Sequence, residues 1–500
     1  MSEKKVVSRK VALGIGALCI ALLIIMSVVV ANYTSTLSTV SSLRKQIASD
    51  NSEINSLKTE IASIQNQFPS LKALALNGFA VIQITDTQYL TDPHYSGDSV
   101  PNLFNGLTSW IVDNSRALNV TMVVHTGDIV QVANSMSDWK NANNAMMQLY
   151  DNGVPYCWNA GNHDQLNNGT IGYGNPNLSW LGGNYPAFNV TAMRQKPYWV
   201  GDISDGKDTA VQFTYDNYHF MVINIEYDAN STVLGWMQTL LKCNPNVNVI
   251  VATHNFLNGN GTYGTASHKD VTWATNFENL LNNYPNVFMT LNGHAANIGG
   301  SAYHKRVGNR EEIFFNMQEN DNKQGAATAR IYAFNMSDPA NPVVTAYTYQ
   351  TFGTPQYLTD PADQFSFSTN LTSYSPSTVS IAANTNFWGA NDHSLSFANS
   401  TTLNGFSQYG TALTFNNLTL NGVTSNFTVT AIGANIVISS YNSNSSISYA
   451  VSGSGNQTFS VNKPPTSVDI DGKQTSKGWS YSNGEITVTG ATSSVVMNFS

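Results

Sequence analysis

The chain opens on an unbroken apolar run. Residues 11–31 are 21 positions without a charge, and at about 1.5 Å per helical residue they reach roughly 31 Å, the thickness of a bilayer's hydrocarbon core. Lys4, Lys5, Arg9 and Lys10 precede the run and only neutral polar residues follow it closely. That asymmetry makes 1–10 a cytoplasmic tail, 11–31 a transmembrane anchor and everything beyond extracellular. The alternative is a cleaved signal peptide, whose apolar core usually spans about 7–15 residues. A heptad pattern comes next. With a and d positions at Val40, Leu43, Ile47, Asp50, Ile54, Leu57, Ile61, Ile64, Phe68 and Leu71, all except Asp50 are apolar. This 3.5-residue period predicts a coiled-coil stalk over 32–72, its helix ended by Pro69, that joins copies of the chain into a homo-oligomer. A single helix lying on its own domain is the other reading.

From about 78 to 352 short apolar runs alternate with amphipathic ones. Runs at 79–85, 121–126 and 154–159 read as strands, and 101–118 and 135–150 between them as helices. Further strands are expected at 210–214, 219–225, 247–253, 287–291, 312–317 and 328–334, with helices near 232–241 and 270–281. The alternation predicts a layered α/β domain, in which chemistry gathers at the carboxyl ends of the strands. The pattern changes again near 365. Of the 130 residues in 371–500, 42 are Ser or Thr and seven are charged, whereas 151–350 holds 21 Ser and Thr in 200. Short β-rich runs at 394–397, 412–415, 426–431, 436–440 and 484–488, separated by Gly, Asn or Ser, predict an all-β sandwich over 365–500. No titratable cluster falls in it, so a spacer or packing module is its default role. Trp388, Trp479 and Tyr481 keep carbohydrate or surface-layer binding open.

Composition narrows the function classes. Five hundred residues suit two or three domains. Apolar residues at 42% suffice for real cores, and charged residues are only 11%. The net charge of −8 and the lack of a Lys/Arg stripe after residue 45 argue against nucleic acid as a partner. Cys19 lies in the apolar run, so Cys157 and Cys243 could form at most one bridge. Fifteen Asn-x-Ser/Thr sequons, including Asn119, Asn168, Asn230, Asn260, Asn417 and Asn456, permit a glycoprotein without demonstrating one.

The polar residues directly after the strands carry the candidate chemistry. They are Thr85-Asp86-Thr87-Gln88, Gly127-Asp128, Gly161-Asn162-His163-Asp164, His254-Asn255 and Gly293-His294. Carboxylate, amide oxygen and imidazole without thiolate suit Mn, Fe or Zn, and a shared carboxylate can bridge two ions at roughly 3.5–4 Å. Glycines beside Asp128, Asn162 and His294 let the backbone turn sharply next to each donor.

Taken in order, the series resembles the calcineurin-like metallophosphoesterase superfamily, with its D-x-H, G-D, G-N-H-[D/E], H and G-H-x-H pattern, and within it the D-T-Q branch near the purple acid phosphatases. The resemblance spans about 79–349. It implies an α/β/β/α layered sandwich and one or two divalent metal ions. Asp86 and Gln88 would hold the first ion, Asp128 would bridge, and Asp128, Asn162, His254 and His294 would hold the second. The family role of the G-N-H histidine places His163 at the leaving group. Gln88 stands where many members have His, and Gly293-His294-Ala295-Ala296 lacks the final His, so both departures fall on the first ion and imply a more oxygen-rich site.

The implied activity is hydrolysis of phosphomonoesters or phosphodiesters by metal-activated water, with His163 as proton donor. The alternative is a non-catalytic cell-surface structural or binding protein with a degenerate metal site. Asp164 could orient His163 or cap a helix, and His125 is a second candidate acid or a core histidine. His268, His304 and Asn297 could replace the missing ligand. Arg306 and Arg310 could contact phosphate, the segment 318–325 could line the cleft, and Cys157 reads as core.

Overall fold

The computed structural model describes residues 9–67, 77–92, 94, 100–167, 171–172, 185–203, 206–264, 270–295, 298–374, 377–381, 383, 388–390, 393–398, 401–409, 412–420, 423–432, 435–442, 446–452, 456–460, 464–482, 485–489 and 493–499. It divides into two compact units, Met1–Phe68 and Pro69–Ser500. The first is one helix, α1 (Arg9–Gln67), of 59 residues. The apolar run and the described heptad positions lie on it without a break, because no Pro or Gly occurs after Gly16 to interrupt it. Among the described residues it is the helix long and apolar enough to cross a membrane. Val40, Leu43, Ile47 and Ile54 are exposed along it. Positions 68–72 of the expected stalk, with Pro69, lie outside the described residues.

In the second unit, strand β1 (Gly78–Ile84) is buried at all seven positions. A continuous apolar run of this kind belongs in the middle of a sheet covered on both faces. It pairs in parallel with β2 (Val120–His125), which pairs in parallel with β3 (Tyr156–Trp158). The second sheet begins with β4 (Trp199–Ile203), β5 (Asp208–Tyr215), β6 (Tyr218–Ile225), β7 (Asn248–Thr253), β8 (Val287–Asn292), β9 (Ala302–Val307) and β10 (Arg310–Phe315), in the order β9-β10-β8-β7-β6-β5-β4. The chain then returns to the first sheet through β11 (Thr328–Asn335), antiparallel to β1, and β12 (Val343–Gln350). Strands Gln356–Leu358 and Phe365–Ser368 add to β12, so this sheet runs past residue 352.

The two sheets meet through aromatic side chains. Phe79 stacks on Phe334 at 4.4 Å within the first sheet and meets Phe213 and Phe220 of the second at 5.5 and 5.1 Å. Replacing a ring so enclosed by alanine costs about 3–5 kcal/mol. Helix Val100–Asn114 covers the outer face of the first sheet, with Phe104 against His125 and Trp110 stacked on Tyr349. Helices Ser231–Cys243 and Asp270–Leu281 cover the second, burying Val233, Met237, Leu240, Phe277 and Leu281 against Met221, Ile223, Val249 and Val251. The domain is therefore a mixed α/β fold with two facing sheets and helices outside.

Residues 377–498 form two more seven-stranded sheets, almost wholly antiparallel. Trp479 donates its indole N–H to the Thr475 carbonyl, and Tyr481 is exposed. Strands Trp388–Ala390 and Thr401–Tyr409 lie against β4, and the segment before them meets the α/β domain at the amino ends of β6 and β7. Tyr374 stacks on His219 at 3.7 Å and Asn248 donates to the Thr372 carbonyl at 2.9 Å. That end is opposite the strand termini carrying the candidate donors.

Candidate metal centre

The carboxyl ends of β1, β2, β3, β7 and β8 converge. Asp86, Asp128 and His294 all adopt left-handed backbone conformations, with φ of 50°, 52° and 76°. Such conformations cost of order 1–3 kcal/mol for a residue with a side chain and persist where the surroundings fix them. The surroundings here are close-packed turns. A Cβ at Gly161 would overlap Asp128 N and Oδ1, and one at Gly293 would overlap Asp86 Oδ2 and Thr85 Oγ1. Only glycine lets these strand ends approach the neighbouring carboxylates.

Asp86 ends a chain of hydrogen bonds that crosses the first sheet. The Tyr332 hydroxyl donates to Gln83 Oε1 at 2.7 Å, Gln83 Nε2 to Thr126 Oγ1 at 3.0 Å, Thr126 to Thr85 Oγ1 at 2.6 Å and Thr85 to Asp86 Oδ2 at 2.6 Å. Each threonine hydroxyl gives one bond and receives one, so the carboxylate orientation is fixed from the core. The amide of His294 also donates to Asp86, at 3.1 and 3.2 Å to the two oxygens. Burial pushes the Asp86 carboxyl above its ordinary range against the pull of His254.

Asp128 is the hub. Its Oδ1 accepts from His163 N at 2.8 Å; its Oδ2 accepts from Gln88 Nε2 at 3.1 Å and lies 3.3 Å from His254 Nε2. Burial raises its carboxyl, but His254 and His163 outweigh that and hold it well below the carboxylate range. His254 Nδ1 is 2.9 Å from the Thr126 carbonyl, which assigns the proton to Nδ1 and turns Nε2 toward the site. That Nε2 is 3.1 Å from Asn162 Oδ1 and 3.1 Å from His294 Nδ1. Donor atoms of Asp128, His254 and His294 all lie within 4.8 Å of one another. His163 gives its Nδ1 proton to the Gln131 carbonyl at 2.9 Å, leaving Nε2 for exchange.

All seven residues singled out from sequence, Asp86, Gln88, Asp128, Asn162, His163, His254 and His294, therefore meet here. The donor set is carboxylate, amide oxygen and imidazole, which matches a divalent ion. Gln88 Oε1 supports that fit, being buried without a hydrogen-bond partner among the described residues.

Other expectations need correction. His125 is not an acid. Its Nδ1 accepts from Gly127 N, its Nε2 faces Thr87 Oγ1 at 2.9 Å, and burial lowers it to about 3, so it is a neutral core imidazole. Asp164 neither caps a helix nor holds the His163 ring. It accepts from the amides of Ile129, Val130 and Gly161 at 2.9, 3.0 and 2.8 Å and ties the Gly127-Asp128 turn to the Gly161-Asn162 turn. His304 pairs with Glu311 and stacks on Phe365, and Arg306 bonds the Gly308 and Ser368 carbonyls. Arg310 is buried between Glu278 and Glu312. These three serve the β9-β10 hairpin, away from the donors. Cys157 is buried, with its thiol pushed up to about 12 by burial. His268, Ala296 and Asn297 lie outside the described residues. Sequence reasoning missed Tyr227, whose ring lies 5.3 Å from that of His294 and 6.0 Å from that of His254. Its signal was its place just after β6.

Residues 79–296 match the calcineurin-like phosphoesterase family model, which supports a metallophosphoesterase domain here. A Bacillus subtilis (strain 168) protein, YvnB, which is uncharacterised, is 27% identical over 225 residues, 45% of this chain and 16% of that protein. The chain thus matches about a sixth of that relative's length. Among solved structures, the yellow lupin (Lupinus luteus) purple acid phosphatase PPD1 aligns with 14% identity and a TM-score of 0.38, covering 59% of this chain and 54% of that one. A dimetal phosphatase from Danio rerio aligns with 11% identity and a TM-score of 0.31, covering 57% and 99%.

Proposed function

We propose that this chain is a membrane-anchored, outward-facing phosphoric ester hydrolase acting on phosphomonoesters or phosphodiesters. The observation that carries the reading is the meeting of Asp86, Asp128, Asn162, His254 and His294, brought from five strand ends to one place. Asp128, Asn162, His254 and His294 would hold one divalent ion, Mn, Fe or Zn. Asp86, Gln88 and Asp128 would hold another, with Asp128 shared. When bound, such ions neutralise phosphate oxygens and lower the pKa of water toward about 7. The protein's own part is positional. Asp164 fixes the two turns that present Asp128 and Asn162, and the Tyr332-to-Asp86 chain fixes the other wall. His163, held through Nδ1, presents Nε2 to give a proton to the departing oxygen.

The remaining parts fit a tethered enzyme. Residues 11–31 of α1 would cross the membrane, leaving 1–10 in the cytoplasm. Val40, Leu43, Ile47 and Ile54 form a stripe that a second copy would cover in a coiled coil. The two sheets of 377–498 would pack as a sandwich and act as a spacer. The test is turnover of a chromogenic phosphomonoester and a phosphodiester by the full chain in detergent, with Mn, Fe or Zn. Wild type should hydrolyse at least one, and D128N should abolish turnover. Retained turnover in D128N removes the bridging role. Neither turnover nor bound metal in wild type favours a non-catalytic surface protein.

A further inference from the structure

The loop after β10 closes on the Asp86 side of the site. Asn316 Nδ2 donates to the His294 carbonyl at 2.9 Å, and Asn316 Oδ1 accepts from Gln318 N at 2.9 Å. One residue further, the Tyr89 hydroxyl donates to Glu319 Oε1 at 3.2 Å. Tyr89 follows Gln88 and Glu319 follows Gln318, so this contact brings two glutamines onto facing segments. Both are buried, at 1% and 8% exposure. In each, Oε1 is closed to solvent and has no hydrogen-bond partner among the described residues. A buried amide oxygen left unpaired costs about 1–3 kcal/mol. Gln88 faces Asp128 through its Nε2, and the loop carrying Gln318 is tied to His294, whose amide donates to Asp86, so the two unpaired amide oxygens come from segments joined to these carboxylates and are of a kind suited to a positive charge.

We propose that Gln318 supplies an oxygen ligand to the first divalent ion, together with Asp86, Gln88 and Asp128. The inference rests on the phosphoesterase reading and adds to it a residue from a strand end that the sequence motifs do not include. Ala296 has no side-chain donor to offer, and Gln318 supplies one in its stead. Its consequence is selectivity. Four oxygen donors without imidazole favour a hard ion such as Mn or Mg, whereas the position with His254 and His294 favours Zn or Fe.

The test uses the full chain in detergent, stripped of metal and titrated with Mn, with bound metal counted by mass spectrometry and the coupling between two ions read by electron paramagnetic resonance. Wild type should bind two ions and show a spin-coupled signal. Q318L should bind the first ion about tenfold or more weakly, by analogy with the loss of other metal-site contacts, and lose the coupled signal. Q318E, which restores an oxygen donor, should recover both, and a thermal melt of each variant separates ligand loss from misfolding. Q318L binding two coupled ions with unchanged affinity overturns the proposal. A wild type that binds one ion with an affinity that Q318L leaves unchanged overturns it while leaving the position with His254 and His294 standing; a wild type that binds none overturns both readings.

Discussion

Asp128 receives His163 N on one oxygen and faces Gln88 and His254 with the other, so its side chain joins three strand ends at once. His163 is different, since it touches Asp128 only through its backbone. H163A should therefore keep bound metal while lowering kcat by about 10²- to 10⁴-fold, the usual worth of general-acid catalysis. Metal content measured beside kcat checks this, and parallel loss of metal would give His163 a structural role instead. Gly161 has no ligand atom, yet a Cβ there would overlap Asp128. G161A should destabilise the fold by about 1–3 kcal/mol, as overpacking does, and reduce metal binding as well. A melting curve read with metal stoichiometry distinguishes this from a neutral change. The donors themselves were legible in sequence because each sits in a short polar motif directly after a strand, and Asp128, Asn162 and His294 have a glycine beside them. Tyr227, Asp164's true partners and Gln318 were not, because their roles depend on what lies opposite them in space.

Local pattern and element agree best where burial is complete. The seven buried residues of β1 and the apolar runs of β2, β6, β7 and β8 were readable as strands for that reason. Strand β4 carries Gly201 and Asp202, and β9 reads Ala-Tyr-His-Lys-Arg-Val with most positions half-buried, so neither shows an apolar run. Both are edge strands, defined by a partner rather than by their own composition. The helix expected to 118 ends at Asn114, where the Asn114 amide donates back to the Trp110 carbonyl. Helix α1 is the reverse case, legible through its period alone. If Ile47 and Ile54 pack against a second copy, I47D combined with I54D should convert an oligomer in detergent to a monomer by light scattering. An unchanged mass would mean the stripe has another role.

Within the α/β domain the candidate donors and the contacts of residues 372–374 lie at opposite ends of the strands. The donors lie at the carboxyl ends of the strands, and the Tyr374–His219 and Asn248–Thr372 contacts lie at the amino ends. The central claim is that residues from five strand ends hold divalent metal. Anomalous diffraction from crystals grown with Mn tests it most directly. The account predicts two peaks about 3.5–4 Å apart, one within bonding distance of Asp128, Asn162, His254 and His294 and the other of Asp86, Gln88 and Asp128. Peaks elsewhere, or none near Asp128, would contradict it.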